Sequence, residues 1–355
     1  MANVFHSEIA TATGTLRATI KDVARVAGVS VATASRALHN PQRVSASAAA
    51  KVRAAADALI YVPDLSARSL VSGRFNRVGA LFPTIDNAIF AKAIHALQNR
   101  LNERGLTMLI ASTEYKRERE YAEVQSLVEH GIDGIILVGM DHDPRAMQLL
   151  EAKKIAFVRI WSCADQDSWP CIGFDNHAAM MRMCGFLADL GHRRFAMIAG
   201  ITLGNDRAAQ RVAGARDALA ARGLLLSPDR IIERPYTISD GRAAMRMLCS
   251  QKEPPTAVIC GNDVLAFGAV LECQAIGLKV PETVSVTGFD DFEFASHIAP
   301  SLTTMRVPAV EMGVEAAEYI VACIAGRPTP QRVLFDAELI VRNSTAPPSP
   351  AVAVR

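Results

Sequence analysis

The chain has 355 residues, 50% hydrophobic and 21% charged, a length and composition that imply two or three packed domains. Its net charge of +2 is uneven. Up to Arg77, ten Lys/Arg stand against four acids, so a basic head precedes a mildly acidic body, which suits a head that neutralises phosphates. No run approaches ~18 apolar residues, which argues against a spanning helix, and the seven cysteines lack CxxC or other metal spacing, so they read as reduced core thiols of a cytoplasmic protein, with no metal or cofactor implied.

Residues 1–18 have no apolar core of a secretory signal and read as a disordered leader. Residues 19–40, TIKDVARVAGVSVATASRALHN, read as two helices joined by a sharp turn. Thr19 caps a first helix whose apolar positions are Ile20, Val23, Ala24 and Ala27, one buried face. Gly28 supplies the positive φ of the turn, and Ser30 caps a second helix over 31–38. Its inner side is Ala34, Ala37 and Leu38. Its outer side is Val31, Ala32, Thr33, Ser35 and Arg36, small enough to approach DNA, with one arginine able to reach a guanine edge. Spacing alone also admits an ordinary helical hairpin with a solvated face. A third helix opens at Val44-Ser45, with Val52, Ala55, Ala56 and Leu59 on one face. Residues 65–71 read as a short helix stopped by Ser72-Gly73.

From Val78 the pattern alternates. Strands are predicted over 78–82, 106–111 and 135–138, with helices over 89–101 and 118–130 between them. The alternation breaks near 160–175 and resumes: helix 178–190, strand 195–198, helix 211–221, strand 256–260, helix 264–275, strand 284–287. Strand–helix alternation implies a parallel sheet flanked by helices, and two such halves imply two α/β lobes. Residues 346–355, rich in proline and small side chains, read as disordered.

The head resembles the DNA-binding headpiece and hinge of the LacI/GalR family of bacterial transcription regulators. The matching residues are Asp22-Val23-Ala24, Ala27-Gly28-Val29-Ser30, Ser35-Arg36, Val44-Ser45, Tyr61-x-Pro63 and Ala67-Arg68-Ser69-Leu70. The resemblance extends to about Arg342 through Gly134-Ile135-Ile136, Phe174-Asp175-Asn176, Leu190-Gly191-His192-Arg193-Arg194, Asn262-Asp263 with Gly268-Ala269, Gly288-Phe289-Asp290-Asp291 and Leu302-Thr303-Thr304. It implies an all-α helix-turn-helix headpiece (19–60), a hinge (61–77) and a two-lobed, doubly wound core like the periplasmic binding proteins (78–343), followed by a disordered tail (344–355). Lobe 1 is expected at 78–173 and 306–332, and lobe 2 at 174–305 and 333–343. It further implies a cytoplasmic repressor that binds a pseudo-palindromic double-stranded operator as a homodimer, away from membranes. The expected DNA contacts are Thr19, Ser30, Val31, Ala32, Thr33, Ser35, Arg36 and His39, with Ala67 and Leu70 in a hinge helix that enters the minor groove, Leu70 as its wedge. Asp64 stands where the family usually has Asn. His192 reads as a surface turn residue.

Ligands of open α/β sheets sit beyond the carboxyl ends of the strands. Phe90, Trp161, Arg211 (expected to begin its helix), Asn262 and Asp290 occupy such places, and by resemblance Phe90, Arg211, Asn262 and Asp290 align with positions that contact sugars or purines. Their chemistry suits a hydroxylated small molecule. Asn262 and the Asp290-Asp291 pair are also readable as caps, and Phe90 as core. Trp161 replaces a common acid with a stacking wall. Glu272-Cys273-Gln274, Gly277-Leu278-Lys279-Val280-Pro281 and Gly173-Phe174-Asp175-Asn176 look most like a gluconate-type branch, so a sugar acid is the first expectation for the effector, with a simple sugar or a purine behind it. Val31-Ala32-Thr33 resembles the galactose-repressor type of reading helix. A periplasmic sugar-binding protein would need an export signal and no headpiece. An enzyme using Asp290 and Asp291 as a carboxylate pair would need them to converge, and neighbours in sequence usually point apart.

Overall fold

The computed structural model describes residues 18–62, 73–163 and 169–349. It divides into two units, 1–75 and 76–355. The first is three helices, α1 (Ile20–Ala27), α2 (Val31–His39) and α3 (Ala46–Ala58). Val23, Ala34 and Val52, one from each, are fully buried at its centre. Gly28 takes φ +67° at the end of α1, and Ser45 caps α3 by accepting from the Ala48 N–H. The expected hinge helix, with Ala67 and Leu70, lies outside the described residues, as do 1–17.

The second unit holds two parallel sheets. Its first lobe contains β1 (Arg77–Phe82), α4 (Ala88–Glu103), β2 (Thr107–Ser112), α5 (Arg117–Glu129), β3 (Gly134–Val138), α6 (Pro144–Ala152), β4 (Ala156–Ile160) and β5 (Cys171–Gly173). The second lobe follows with α7 (Asn176–Asp189), β6 (Phe195–Gly200), α8 (Asp206–Ala220), β7 (Ile231–Arg234), α9 (Ile238–Cys249), β8 (Ala257–Cys260), α10 (Asp263–Ala275) and β9 (Ser285–Thr287). The chain then runs through β10 (Thr304–Arg306), α11 (Ala309–Ile324), β11 (Arg332–Leu334) and β12 (Glu338–Ile340). Sheet order is β11-β5-β4-β3-β1-β2 in the first lobe and β7-β6-β8-β9 in the second. Every pair in both sheets is parallel, while β10 and β12 pair antiparallel. The central strands are largely apolar because helices cover both faces; Ile135, Ile136 and Leu137 on β3 are all inaccessible. α11 packs on α4 so closely that a side-chain carbon at Gly313 would lie 2.7 Å from the Ala93 carbonyl.

Several expectations need correcting. α6 and β4 fill the stretch left unassigned between 139 and 160, β5 lies where the alternation was expected to break, and β7 with α9 fills another gap. Arg211 lies inside α8, which starts five residues earlier, because Asn205 caps it at its true start. β11 pairs along its whole length with β5 in the first lobe, across the boundary expected at 332/333. Residues 344–346 are not a loose tail. Ser344 is inaccessible, donates to the Val286 carbonyl at 2.6 Å and accepts from the Thr303 N–H at 2.8 Å. His192 is no surface residue either: Nδ1 meets Thr256 Oγ1 at 3.0 Å and Nε2 the Ala346 carbonyl at 2.9 Å. Burial lowers its pKa. Finally, Cys163 and Cys171 pair as a disulfide, their Cα atoms 5.6 Å apart, because β4 and β5 run side by side; the other five thiols are free.

Candidate functional site

The headpiece face is set by caps. Thr19 donates its N–H and hydroxyl to the Asp22 carboxylate at 3.0 and 2.7 Å. Ser30 Oγ accepts from the Thr33 N–H at 3.1 Å and lies 2.9 Å from Thr33 Oγ1. His39 Nδ1 is 2.9 Å from the Ser35 carbonyl. These residues therefore hold the hairpin's own geometry. With Ala34 and Ala37 buried, α2 turns Val31, Ala32 and Arg36 to solvent, with Thr33 and Ser35 half-buried beside them. The Arg36 guanidinium has no hydrogen bond or ion pair among the described residues. It is free to reach an external acceptor, and its fork matches the two acceptors of a guanine edge.

In the core, Phe90, Trp161, Arg211, Asn262 and Asp290 come together in one narrow chamber between the lobes. Strand ends explain the convergence. Trp161 follows β4 at φ +81°, Asn262 caps α10 after β8, and Asp290 follows β9 at φ +119°. Phe90, near the start of α4, meets Trp161 edge-on with ring centres 4.8 Å apart. Arg211 projects from α8. It donates through Nη1 to the Gly261 carbonyl at 2.9 Å, lies 4.4 Å over the Phe289 ring, and stands 4.0 Å from Asp290. Its Nη2 makes no hydrogen bond among the described residues.

Asn262 acts as a cap and more. Its Oδ1 accepts from the Leu265 N–H at 2.9 Å, while its buried Nδ2 has no partner among the described residues. A buried donor without an acceptor is costly unless something arrives to take it. Asp290 is buried, and burial pushes its carboxyl up to about 7 against the opposing pull of Arg211. Asp291 points elsewhere, held by Arg306 at 2.8 Å and Arg342 at 2.6 Å. It is structural, and no carboxylate pair forms with Asp290.

Sequence reading missed Tyr115, Asn205, Arg207 and Tyr236, which line the same chamber. Asn205 Oδ1 caps α8, and Nδ2 donates to the Tyr236 hydroxyl at 3.2 Å. Burial raises the Tyr115 phenol far above its ordinary value, so it stays protonated. Arg207 pairs with Asp206 at 2.7 Å. One signal was present: Arg207 lies one turn before Arg211, the i, i+4 spacing that puts both on one face. Nothing local marks Tyr115 or Tyr236. Among the described residues, no cluster of three or more His, Cys, Asp or Glu is placed to hold a metal, and no helix is long and apolar enough to cross a membrane.

A helix-turn-helix with a free arginine on its second helix, in a chain whose other unit is a two-lobed α/β core around a buried polar chamber, defines a DNA-binding transcriptional regulator. Residues 19–64 match the bacterial regulatory proteins of the lacI family, and 184–345 match a periplasmic binding protein-like domain. The chain is 30% identical to the HTH-type transcriptional regulator GntR of Escherichia coli K12 over 90% of its length and 95% of that protein's. It is 32% identical to the HTH-type transcriptional repressor CytR of the same strain, covering 92% and 96%. The lac repressor dimer bound to operator and the anti-inducer ONPF superposes with a TM-score of 0.83 at 25% identity, covering 93% of this chain and all of that one. The chain belongs to the lacI family of bacterial transcriptional regulators. These relatives are regulators and not enzymes.

Proposed function

We propose that the protein is a repressor whose grip on operator DNA is controlled by a sugar acid bound in the interlobe chamber. Two headpieces of a homodimer read the half-sites of a pseudo-palindrome in the cytoplasm, Arg36 and the outer face of α2 in the major groove and the hinge residues Ala67 and Leu70 in the minor groove. The observation that carries the ligand reading is the buried, unpartnered Asn262 Nδ2 beside the Arg211 guanidinium in one chamber. Arg207 has Asp206 as partner, while burial pushes the Asp290 carboxyl up to about 7 and so weakens its hold on the Arg211 charge. That favours a carboxylate on the ligand. Phe90 and Trp161 offer apolar faces for its carbon skeleton.

The ligand acts by preferring one arrangement of the lobes; a compound that bound both arrangements equally would change nothing. The test is thermal unfolding of the full chain against sugar acids, neutral sugars and purines. A ligand at about a hundred times its dissociation constant stabilises by about 2.7 kcal/mol. Stabilisation by a sugar acid, with a matching shift in operator affinity, is expected. Stabilisation by purines alone, or by nothing in the panel, overturns the assignment.

A further inference from the structure

Three stretches of chain meet where the first lobe hands over to the second: the end of β4 with Trp161-Ser162-Cys163, β5 with Phe174, and β11 with Phe335. They are tied closely to one another. The Trp161 N–H donates to the Ile172 carbonyl at 3.1 Å, and the Phe335 N–H donates to the Gly173 carbonyl at 2.8 Å. Asn176, the wholly buried first residue of α7, donates through Nδ2 to the Trp161 carbonyl at 3.1 Å. Phe174 stacks on Phe289 of the second lobe, ring centres 6.1 Å apart. A hinge between lobes works through the few residues that cross between them, so a change of lobe arrangement acts on this junction.

Cys163 and Cys171 sit inside it, both buried. Their Cα atoms are 5.6 Å apart, within the span of a disulfide. The bond ties the residue two past the Trp161 wall to the first residue of β5. Without the bond, Cys163 still has an acceptor, because its Sγ lies 3.8 Å from the Val333 carbonyl of β11. The junction therefore accommodates a thiol pair as well as a disulfide. A regulator that reads bacterial DNA works in a compartment that keeps thiols reduced, where a disulfide is typically transient and redox-sensing. The compartment points to thiols and the fold to a bond, and a pair that changes state satisfies both.

We propose that Cys163 and Cys171 form a reversible redox switch at the junction of the lobes. The disulfide form stiffens the junction and fixes the Trp161 wall, and the dithiol form frees both. This rests on the cytoplasmic reading above. Forming the bond takes two protons and two electrons from the thiols. A low-molecular-weight disulfide, here glutathione disulfide, accepts them and becomes two thiols, and an excess of that thiol runs the step back.

The experiment equilibrates the full chain, without oxygen, in graded mixtures of glutathione and its disulfide. Alkylation with mass spectrometry maps the thiols, and hydrogen exchange and tryptophan emission are read on the same samples. The chain's two tryptophans, Trp161 and Trp169, each stand two residues before one of these cysteines, so emission reports on the pair. Seven free thiols are expected in excess glutathione, and a 163–171 disulfide with five free thiols where glutathione disulfide predominates, emission following the same transition. The disulfide form is expected to slow exchange across 160–163, 172–176 and 333–337 at least about tenfold, since a cross-link raises the cost of local opening. Cys163→Ala and Cys171→Ala should each exchange like the dithiol form in every mixture. A bond that persists in excess glutathione is a permanent staple and overturns the switch, and so does a pair that stays reduced throughout. Slowing confined to the segment between the two cysteines overturns control of the junction. None of these outcomes touches the operator and effector readings, which stand or fall on their own tests.

Discussion

Asp290 shows how one residue's surroundings become a measurable property. Its carboxyl sits buried at a strand end, 4.0 Å from Arg211, and titrates near pH 7 in place of the ordinary 3.8. Between those values the native chain holds a proton that the unfolded chain has released. Stability therefore falls as pH rises through this window. Asp290→Asn is expected to flatten that slope, read as the unfolding free energy in urea from pH 4 to 7. Asp263, buried and raised in the same direction, keeps the flattening partial. An unchanged slope would show that Asp290 is ionised throughout. Arg36 carries the other sharp expectation at this scale. Arg36→Ala should cost about 1–3 kcal/mol of operator affinity, the worth of a bidentate base contact. Operator binding within about twofold of wild type would remove Arg36 from the reading face.

At the scale of elements, residues 344–346 act as an extra edge for the second lobe. The Val286 N–H donates to the Ser344 carbonyl at 2.9 Å, and Ser344 Oγ joins Val286 to Thr303. Beside them, Ala346 receives His192 and Ser285. Ser344→Ala would leave the Thr303 N–H without its partner and remove a donor from the Val286 carbonyl. A buried group orphaned in this way costs about 1–3 kcal/mol, so a total loss of roughly 2–4 kcal/mol is expected in equilibrium unfolding. A loss under about 0.5 kcal/mol, the range of ordinary surface changes, would mean that this edge is not part of the fold's cooperative unit. Burial lowers the pKa of His192, so its contribution has the opposite sign to that of Asp290. Stability is lost as pH falls below the ordinary 6.5, where the unfolded imidazole takes a proton that the native one resists.

Within the core as a whole, the first turn of α8 touches both lobes. Asp206 Oδ2 accepts from the Met140 N–H at 3.2 Å, and Arg207 Nη1 approaches the Val138 carbonyl at 3.5 Å. Gly139, at φ +99°, is glycine because a side-chain carbon there would fall on the Arg207 guanidinium. Arg207 also lines the chamber, so this contact adjoins it. Asp206→Ala is expected to loosen the two lobes, raising the radius of gyration of the ligand-free core in small-angle scattering and weakening effector binding about tenfold, the size of one charge-assisted hydrogen bond. Scattering and affinity both unchanged would exclude Asp206 from lobe closure.

The headpiece was legible because its information is local: caps, a turn glycine and one apolar stripe lie within a single run of residues 19–40. Strand–helix alternation showed two lobes for the same reason. It failed where local patterns are weak. β5 is three residues long. α11, by contrast, carries a stripe at Ala309, Met312, Gly313, Ala316, Ala317 and Ile320 that was legible in the sequence and was passed over. The sequence alone determined the helix-turn-helix, the two-lobed class and five residues that share the chamber, three of them at strand ends that converge on one crevice. Only the tertiary structure decided that Asp291 is tied up by Arg306 and Arg342, that His192 is buried, and that Tyr115 and Tyr236 join the site. Each of these depends on contacts between segments far apart in the chain, and periodicity within one segment carries no record of what another segment brings to it.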